Sequence, residues 1–116
     1  TGVYLPHFVP KGETDGPTGA ASLAYALRLG LGAVPVLLSG AQVMKPVEAS
    51  CQAIGLVVHP LEIASQIPYA ASMQSFPFDE PAEADEAVRH LEHAIRSLTP
   101  RFRERGGKGR GRVALA

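Results

Sequence analysis

The sequence is poor in several residue types and patterns that would assign a protein class at once. It has one cysteine, Cys51, and therefore no internal disulfide, and it has no tryptophan. Glycine, proline or charged residues interrupt every apolar run before the roughly 20 residues that a membrane span requires, so no membrane partner is expected. A basic segment followed by an apolar one is also missing, so no targeting peptide is predicted. Cys51 lies in a helical pattern without a neighbouring histidine, which favours a buried structural thiol over a nucleophile.

Charge is balanced overall but unevenly distributed. The formal net charge is zero, yet residues 79–92 are strongly acidic and the last stretch, RFRERGGKGRGRVALA at 101–116, is strongly basic. Such an asymmetry is compatible with a nucleic-acid arm, with two complementary surfaces or with a solvated linker. Arginine-glycine segments hold RNA by charge and base stacking, but Phe102 is the only aromatic residue in this one. A nucleic-acid partner is therefore not favoured.

Strand-like and helix-like patterns alternate along the chain. The run AVPVLLSG, residues 33–40, suits a strand covered on both faces, although Pro35 favours a sheet edge or a strand start. Residues 60–78 lack clear periodicity, and we interpret them as a long irregular loop with a short helix at its start. The other predicted elements are a strand at 1–6, a helix with an apolar face from Ala20 that ends at Gly30 to Gly32, a helix at 43–54, a strand at 56–60, a helix that starts at 79–81 and ends before Pro100, and a strand at 112–116.

This alternation predicts the α/β class with a mostly parallel sheet and crossover helices, a Rossmann-like three-layer α/β/α fold. We expect the fold to be incomplete. The predicted organisation is an α/β domain at 1–99, a basic glycine- and arginine-rich linker at 100–111 and a terminal strand at 112–116. In such sheets ligands bind at the carboxyl ends of the strands, where loops lead into helices.

One loop in that position stands out, within PKGETDGPTGAASLAYALRLG at residues 10–30. A helix N-terminus carries unpaired N–H groups and partial positive charge, so it can hold a carboxylate or a phosphate. Gly16 and Gly19 would let a ligand approach the backbone, and Pro17 is tolerated in a first turn. Asp15 is the favoured cap. The candidate caps together are Thr14, Asp15 and Thr18.

Helix capping does not account for Glu13 and Lys11, which precede Asp15. Neighbouring carboxylates repel each other unless a cation, an ammonium group or a metal compensates them. His7 and the two acids could bind a hard divalent cation, but they lack the spacing of a metal motif, and no metal site is assigned. Neither G-x-G-x-x-G nor a Gly-Lys-Ser/Thr loop is present, which disfavours dinucleotide and P-loop sites. The remaining histidines are interpreted as a loop residue and residues of a solvated helix face: His59, His90 and His93.

The opening segment resembles the start of the C-terminal domain of D-glutamate cyclase and its bacterial relatives. That family has a Thr-Gly strand end, followed by a Glu-Thr-Asp-Gly-Pro-x-Gly-Ala loop that opens a helix rich in Ala and Leu. The similarity is clear over about the first forty residues and weaker to about residue 98. Beyond it the family continues with an Ile-Glu-Arg-x-Gly type strand, whereas this chain turns into its basic segment. The matching positions are Thr1, Gly2, Glu13, Thr14, Asp15, Gly16, Pro17, Gly19 and Ala20.

The resemblance implies a carbon-oxygen lyase that closes D-glutamate to 5-oxo-D-proline with loss of water. Such a site needs an anion cradle, a base and an electrophilic helper, because the amine must be neutral when it attacks the γ-carboxyl group. In this hypothesis Asp15 or Glu13 binds or deprotonates the ammonium group, and Lys11 steadies a carboxylate. No cofactor is identified. The implied substrate-binding positions are Thr14, Gly16, Thr18, Gly19, Thr1 and Gly2.

A second hypothesis, from a different class, is a non-catalytic module that binds an amino acid or another carboxylate with the same loop. Both hypotheses imply a small-molecule partner. The resemblance also implies a companion domain, since the full-length vertebrate enzyme has an N-terminal hydro-lyase-like domain. It implies a cytoplasmic location for a bacterial protein and the mitochondrial matrix for a vertebrate one. We expect this chain to be part of a larger ligand-binding unit.

Overall fold

The computed structural model describes residues 7, 8, 10, 14–77, 80–105 and 113–115. Helices and strands alternate along these residues. None of the described helices combines the length and the apolar character needed to cross a membrane. The helices are α1 at Asp15–Leu31, α2 at Met44–Ala53, α3 at Leu61–Ala64 and α4 at Pro81–Arg105, the strands are β1 at Val34–Ser39, β2 at Val57–Val58, β3 at Ala70–Ser75 and β4 at Val113–Leu115, and a 3-10 helix spans Ala41–Val43.

The four strands form one sheet in the order β2-β3-β1-β4, and every described pairing is parallel. Val36 of β1 pairs with Ser72 of β3, and Val34 pairs with Val113 of β4. Strands β1 and β3 therefore lie inside the described sheet. Parallel neighbours need crossover connections, which the helices provide. The predicted Rossmann-like α/β fold with a parallel sheet is confirmed.

Helices cover both faces of the sheet. Helices α1 and α2 pack on one face around Leu37, and helices α3 and α4 pack on the other around Val36. Burial of both faces explains why β1 reads as an almost continuous apolar run. The first core consists of Ala21, Ala24, Leu37, Val47, Cys51, Leu56 and Ala71, and the second consists of Val34, Val36, Leu61, Ala64, Ala70 and Leu91.

Both ends of α1 follow from its residue types. Pro17 lies in the first turn, where a missing N–H costs little. Gly32 ends the helix in the left-handed conformation with a φ of 63°, and its N–H donates to the Arg28 carbonyl oxygen at 3.1 Å. This bond from the residue after the helix end to Arg28 is that of the αL motif, and the N–H of Ala33 donates to the Leu27 carbonyl oxygen at 3.2 Å. The chain then enters β1 at once, so the N-terminus of α1 lies at the carboxyl edge of the sheet.

Most predicted elements are confirmed, but the interpretation of 60–78 as a long irregular loop after a short starting helix is wrong in its second half. That segment contains the interior strand β3. Its sequence AASMQS has no period-two alternation and no β-branched residue, so its strand signal is weak. Small residues nevertheless suit a strand on which helices pack from both sides. The confirmed elements are the strands at 33–40, 56–60 and 112–116, the helix at 43–54 and the short helix after Pro60.

Two prolines test the prediction rules in different ways. Pro35 is the second residue of β1, which has a neighbour on each side, so the strand-start interpretation is confirmed and the edge interpretation is wrong. The prediction that the last helix ends before Pro100 is also wrong, because α4 continues to Arg105. An interior proline removes one helical hydrogen bond and destabilises the helix without forbidding it. The strand at 1–6 lies outside the described residues, and the domain boundaries stay predictions.

Candidate functional site

The first turn of α1 carries the described part of the predicted site. Asp15 is the first residue of the helix and is exposed, and Thr14 occupies the N-cap position. The backbone of Thr14 has helical torsions, φ −97° and ψ −27°, and its side chain makes no capping hydrogen bond. The expectation that Asp15 is the cap is therefore wrong. Its charge still suits the positive end of the helix dipole.

Polar side chains of this turn bind backbone atoms beside them. The backbone N–H of Gly16 donates to Asp15 Oδ1 at 3.0 Å. The Thr18 hydroxyl lies 3.0 Å from the carbonyl oxygens of both Thr14 and Asp15, and it donates to these oxygens rather than accepting from an N–H group. Pro17 has no N–H to offer. The described turn therefore offers an anion fewer donors than the sequence predicts.

Gly19 lies in the second turn and is exposed. Outside its two chain neighbours and the backbone of its own helix, no described atom lies within 4 Å of the position that a Cβ would occupy there, and the residue does not have a positive φ. Neither packing against the described residues nor backbone conformation requires glycine at this position. Open space beside the backbone is what the approach of a ligand needs.

The structure thus places one group of predicted site residues within a single helix start. Those residues are Thr14, Asp15, Gly16, Thr18 and Gly19. The other predicted site residues lie outside the described part of the chain, and they are Thr1, Gly2, Lys11 and Glu13. The catalytic and binding roles of both groups stay predictions.

The carboxyl ends of β1 and β3 form the topological switch point of the sheet. Strand β1 leads to α2 on one face, whereas its neighbour β3 leads to α4 on the other. Ser39 ends β1 and pairs in register with Ser75, which ends β3, and the N–H of Phe76 donates to the Ser39 carbonyl oxygen at 2.9 Å. Ligands of open α/β sheets bind at such a point. The N-terminus of α1 lies at the same edge.

Sequence reasoning misses one side of this switch point. The Ser-Gly after the apolar run of β1 marks Ser39 as a strand end, but Ser75 lies in the segment interpreted as a loop. The two residues are distant in the sequence, and only the parallel pairing of β1 with β3 brings them together. A strand signal in 70–75 would have located Ser75.

The titratable groups elsewhere agree with structural roles. Among the described residues, no group of three or more His, Cys, Asp or Glu side chains could hold a metal ion. His90 Nε2 lies 3.9 Å from Glu86 Oε1, and both side chains are mostly exposed, so the solvated-face interpretation is confirmed for His90. Cys51 is fully buried, and burial together with nearby Glu48 raises the pKa of its thiol. The prediction of a buried structural thiol is confirmed.

The chain matches a known protein family over most of its length. The family model described as "D-glutamate cyclase-like, C-terminal" matches residues 1–103. No curated protein and no solved structure gives a significant match. The matched range includes the opening loop, both cores of the sheet and most of α4. The chain therefore belongs to the D-glutamate cyclase-like C-terminal domain family.

Proposed function

We propose that this chain provides the substrate-binding loop of a D-glutamate cyclase, which closes D-glutamate to 5-oxo-D-proline with loss of water. The observation that carries the proposal is the family match over residues 1–103. The matched range contains the Glu-Thr-Asp-Gly-Pro loop at 13–17. The family relationship supports the substrate class, and the specific reaction is our inference from it.

The place of the loop in the fold supports this proposal. Helix α1 enters β1 through Gly32 and Ala33, so its first turn lies at the carboxyl edge of the parallel sheet. The switch point between Ser39 and Ser75 belongs to the same edge. Loops at this edge are the usual ligand-binding elements of α/β sheets. A substrate bound here would meet the positive end of α1 and the polar ends of two interior strands.

Ring closure sets clear demands on the residues of this loop. The amine nitrogen attacks the γ-carboxyl carbon, a C–N bond forms and one C–O bond breaks. The two protons that the ammonium group loses leave with the departing oxygen as water. A carboxylate that binds the ammonium group and accepts a proton makes the amine nucleophilic, and we assign this role to Asp15 or Glu13. Lys11 and the positive end of α1 then hold the carboxylates of the substrate.

Turnover of D-glutamate by the full chain tests the proposal, with 5-oxoproline measured by chromatography. Asp15→Asn keeps the size of the side chain and removes its charge. If Asp15 is the base, we expect turnover to fall about 100-fold or more, since a positioned acid or base contributes about 10²–10⁴-fold. The matched control is Asp85→Asn, which changes an exposed acid on α4 and should retain wild-type turnover. Full activity of Asp15→Asn would exclude Asp15 as the base and leave Glu13→Gln as the decisive variant.

A second candidate function is a non-catalytic module that binds an amino acid or another carboxylate. The first turn of α1 favours it, because Asp15 is the acidic residue of that turn and its carboxylate already accepts from the Gly16 N–H. One carboxylate can bind an ammonium group without supplying a separate acid and base. A rise in Tm with D-glutamate but no 5-oxoproline would support this module, since ligand at 100 times Kd stabilises a fold by about 2.7 kcal/mol. If D-glutamate gave neither turnover nor a rise in Tm, that result would contradict both functions for this chain.

A further inference from the structure

A cleft lies on the face of the sheet opposite α1. Its volume is about 460 Å³, within the roughly 300–1,000 Å³ that is typical of small-molecule sites. The end of β2, strand β3, the start of α3 and the middle of α4 form its walls. Among the described residues, none from α1 or β1 lines it. The cleft is therefore separate from the loop of the proposed function, and a ligand bound in it does not depend on that function.

Hydrogen-bonding side chains converge on this cleft from three elements. Ser72 and Gln74 are two residues apart on β3, so their side chains point to the same face of the sheet. Ser72 is 4 % exposed and lies at the base of the cleft, whereas Gln74 is exposed at its rim. Glu62 of α3 and His90 of α4 are further exposed lining residues, and His59 adds a second imidazole. The cleft thus offers an amide, a hydroxyl, a carboxylate and imidazole groups to one ligand.

The charges around the cleft disfavour an anionic ligand. Glu62 is the only described lining residue with a permanently charged type of side chain at neutral pH, and neither lysine nor arginine lines the cleft among the described residues. Glu86 lies 3.9 Å from the lining residue His90 and adds a second carboxylate nearby. A phosphate or a dicarboxylate would meet negative charge without a cationic partner. D-Glutamate is therefore a poor ligand for this cleft.

The rest of the lining is carbon-rich. Leu61 and Leu91 belong to the second core, and Ala94 packs against that core. Val58 and Met73 border the cleft as well, but their side chains pack against the first core on the other face of the sheet. Apolar walls with a few convergent polar groups suit a flat ring that buries its faces and forms hydrogen bonds along its edge.

We propose that this cleft binds a small nitrogen heterocycle with an amine donor, of the nucleobase or nucleoside class. Glu62 accepts a hydrogen bond from the amine. The amide of Gln74 is both a donor and an acceptor, so it pairs with the polar edge of the ring. Ser72 contributes its hydroxyl from the base of the cleft.

Two pairs of nucleosides test the preference for an amine donor in titrations of the full chain by calorimetry. Cytidine and uridine have nearly the same size, but cytidine has an amine where uridine has a carbonyl oxygen, and the adjacent ring nitrogen is an acceptor in cytidine and an N–H donor in uridine. Adenosine and inosine differ in the same way. We expect cytidine and adenosine to bind roughly tenfold more tightly than their partners, because a carboxylate facing a carbonyl oxygen leaves both acceptors unpaired.

Three exposed positions supply the variants. Glu62→Gln should remove the preference within each pair, because an amide can pair with an amine or with a carbonyl oxygen. Gln74→Ala should weaken the binding of all four nucleosides. Glu92→Gln, on α4 but outside the cleft, is the matched control and should bind as the wild type does. Unchanged Tm values would show that all three variants keep the fold.

Two outcomes would overturn this proposal. One is the absence of binding by all four nucleosides at millimolar concentration. The other is an amine preference that survives Glu62→Gln. The response to D-glutamate should be the same in Glu62→Gln and in the wild type, so failure here is distinguishable from failure of the cyclase proposal.

Discussion

Arg28 joins elements on opposite faces of the sheet through one guanidinium group. It donates to the carbonyl oxygen of Ala33 at 2.9 Å, to that of Ala64 at 3.4 Å and to that of Ile67. Burial lowers the pKa of Arg28, because a less hydrated site disfavours the charged form. A planar group with five donors can serve three carbonyl oxygens at once. Arg28 therefore fixes α3 and the following turn against the end of α1.

We expect Arg28→Ala to lower the free energy of unfolding by about 1–3 kcal/mol, because the carbonyl oxygens lose their donor. Arg28→Lys should restore only part of this loss, since an ammonium group cannot reproduce the planar fork. Urea unfolding measures the free energy of unfolding of both variants. Arg89→Ala, at an exposed position of α4, is the control and should change stability little. Wild-type stability of Arg28→Ala would contradict the role assigned to the guanidinium group.

Cys51 makes the stability depend on pH in the alkaline range. Burial and Glu48 raise the pKa of its thiol above the ordinary value of 9.0. The folded state holds the thiol proton more firmly than the unfolded state does. The contribution of Cys51 to the free energy of unfolding is therefore complete below that value and is lost as the pH rises through the raised pKa. The stability of the wild type should therefore fall more steeply above pH 9.0 than that of Cys51→Ala. Urea unfolding across this range measures the two slopes, and parallel curves would contradict the prediction.

At the scale of the element, α1 offers two glycines for comparison, Gly19 within the helix and Gly32 directly after its last residue. Apart from chain neighbours and the helix backbone, no described atom lies within 4 Å of a Cβ added at Gly19 or at Gly32, but only Gly32 of the two has a positive φ. Gly19→Ala should raise the free energy of unfolding by about 0.5–1 kcal/mol, the usual gain of alanine in a helix interior. Gly32→Ala should lower it by about 1–2 kcal/mol, the cost of a left-handed alanine. Urea unfolding of both variants decides this, and a loss of stability in Gly19→Ala would refute the first half.

The helices and strands differ in how well their sequences predict them. Strand β1 is predictable because burial on both faces requires an apolar run. Helix α1 ends as predicted because Gly32 is needed for the left-handed residue after its last turn. Strand β3 is not predictable in the same way, since its buried half consists of small residues and its exposed end of polar ones, and none of them has a high β propensity. The end of α4 is mispredicted because the rule that prolines end helices is a tendency.

At the scale of the whole molecule, the alternation of helices and strands suffices to predict a parallel sheet, because a helical crossover returns the chain in the same direction. The order β2-β3-β1-β4 is not predictable from that alternation, because pairing depends on contacts between residues far apart in the sequence. The candidate site likewise has one part that the sequence predicts and one part that it does not. The turn at Asp15 could be located from its motif and helix-start residues, whereas Ser75 reaches the switch point only through its pairing with Ser39.

The pairing of β4 with β1 has a consequence for the nascent chain on the ribosome. Strand β1 leaves the ribosome early, and β4 is the last described strand to follow. Until then one side of an interior strand presents open backbone groups beside Val34 and Val36, which is the kind of edge that recruits other chains. Pairing of β4 with this side of β1 is slow, because strands far apart in the sequence must overcome the entropy of the connecting loop before they gain contacts. This side of β1 therefore stays open to pairing with other chains until β4 has been translated and has paired with it.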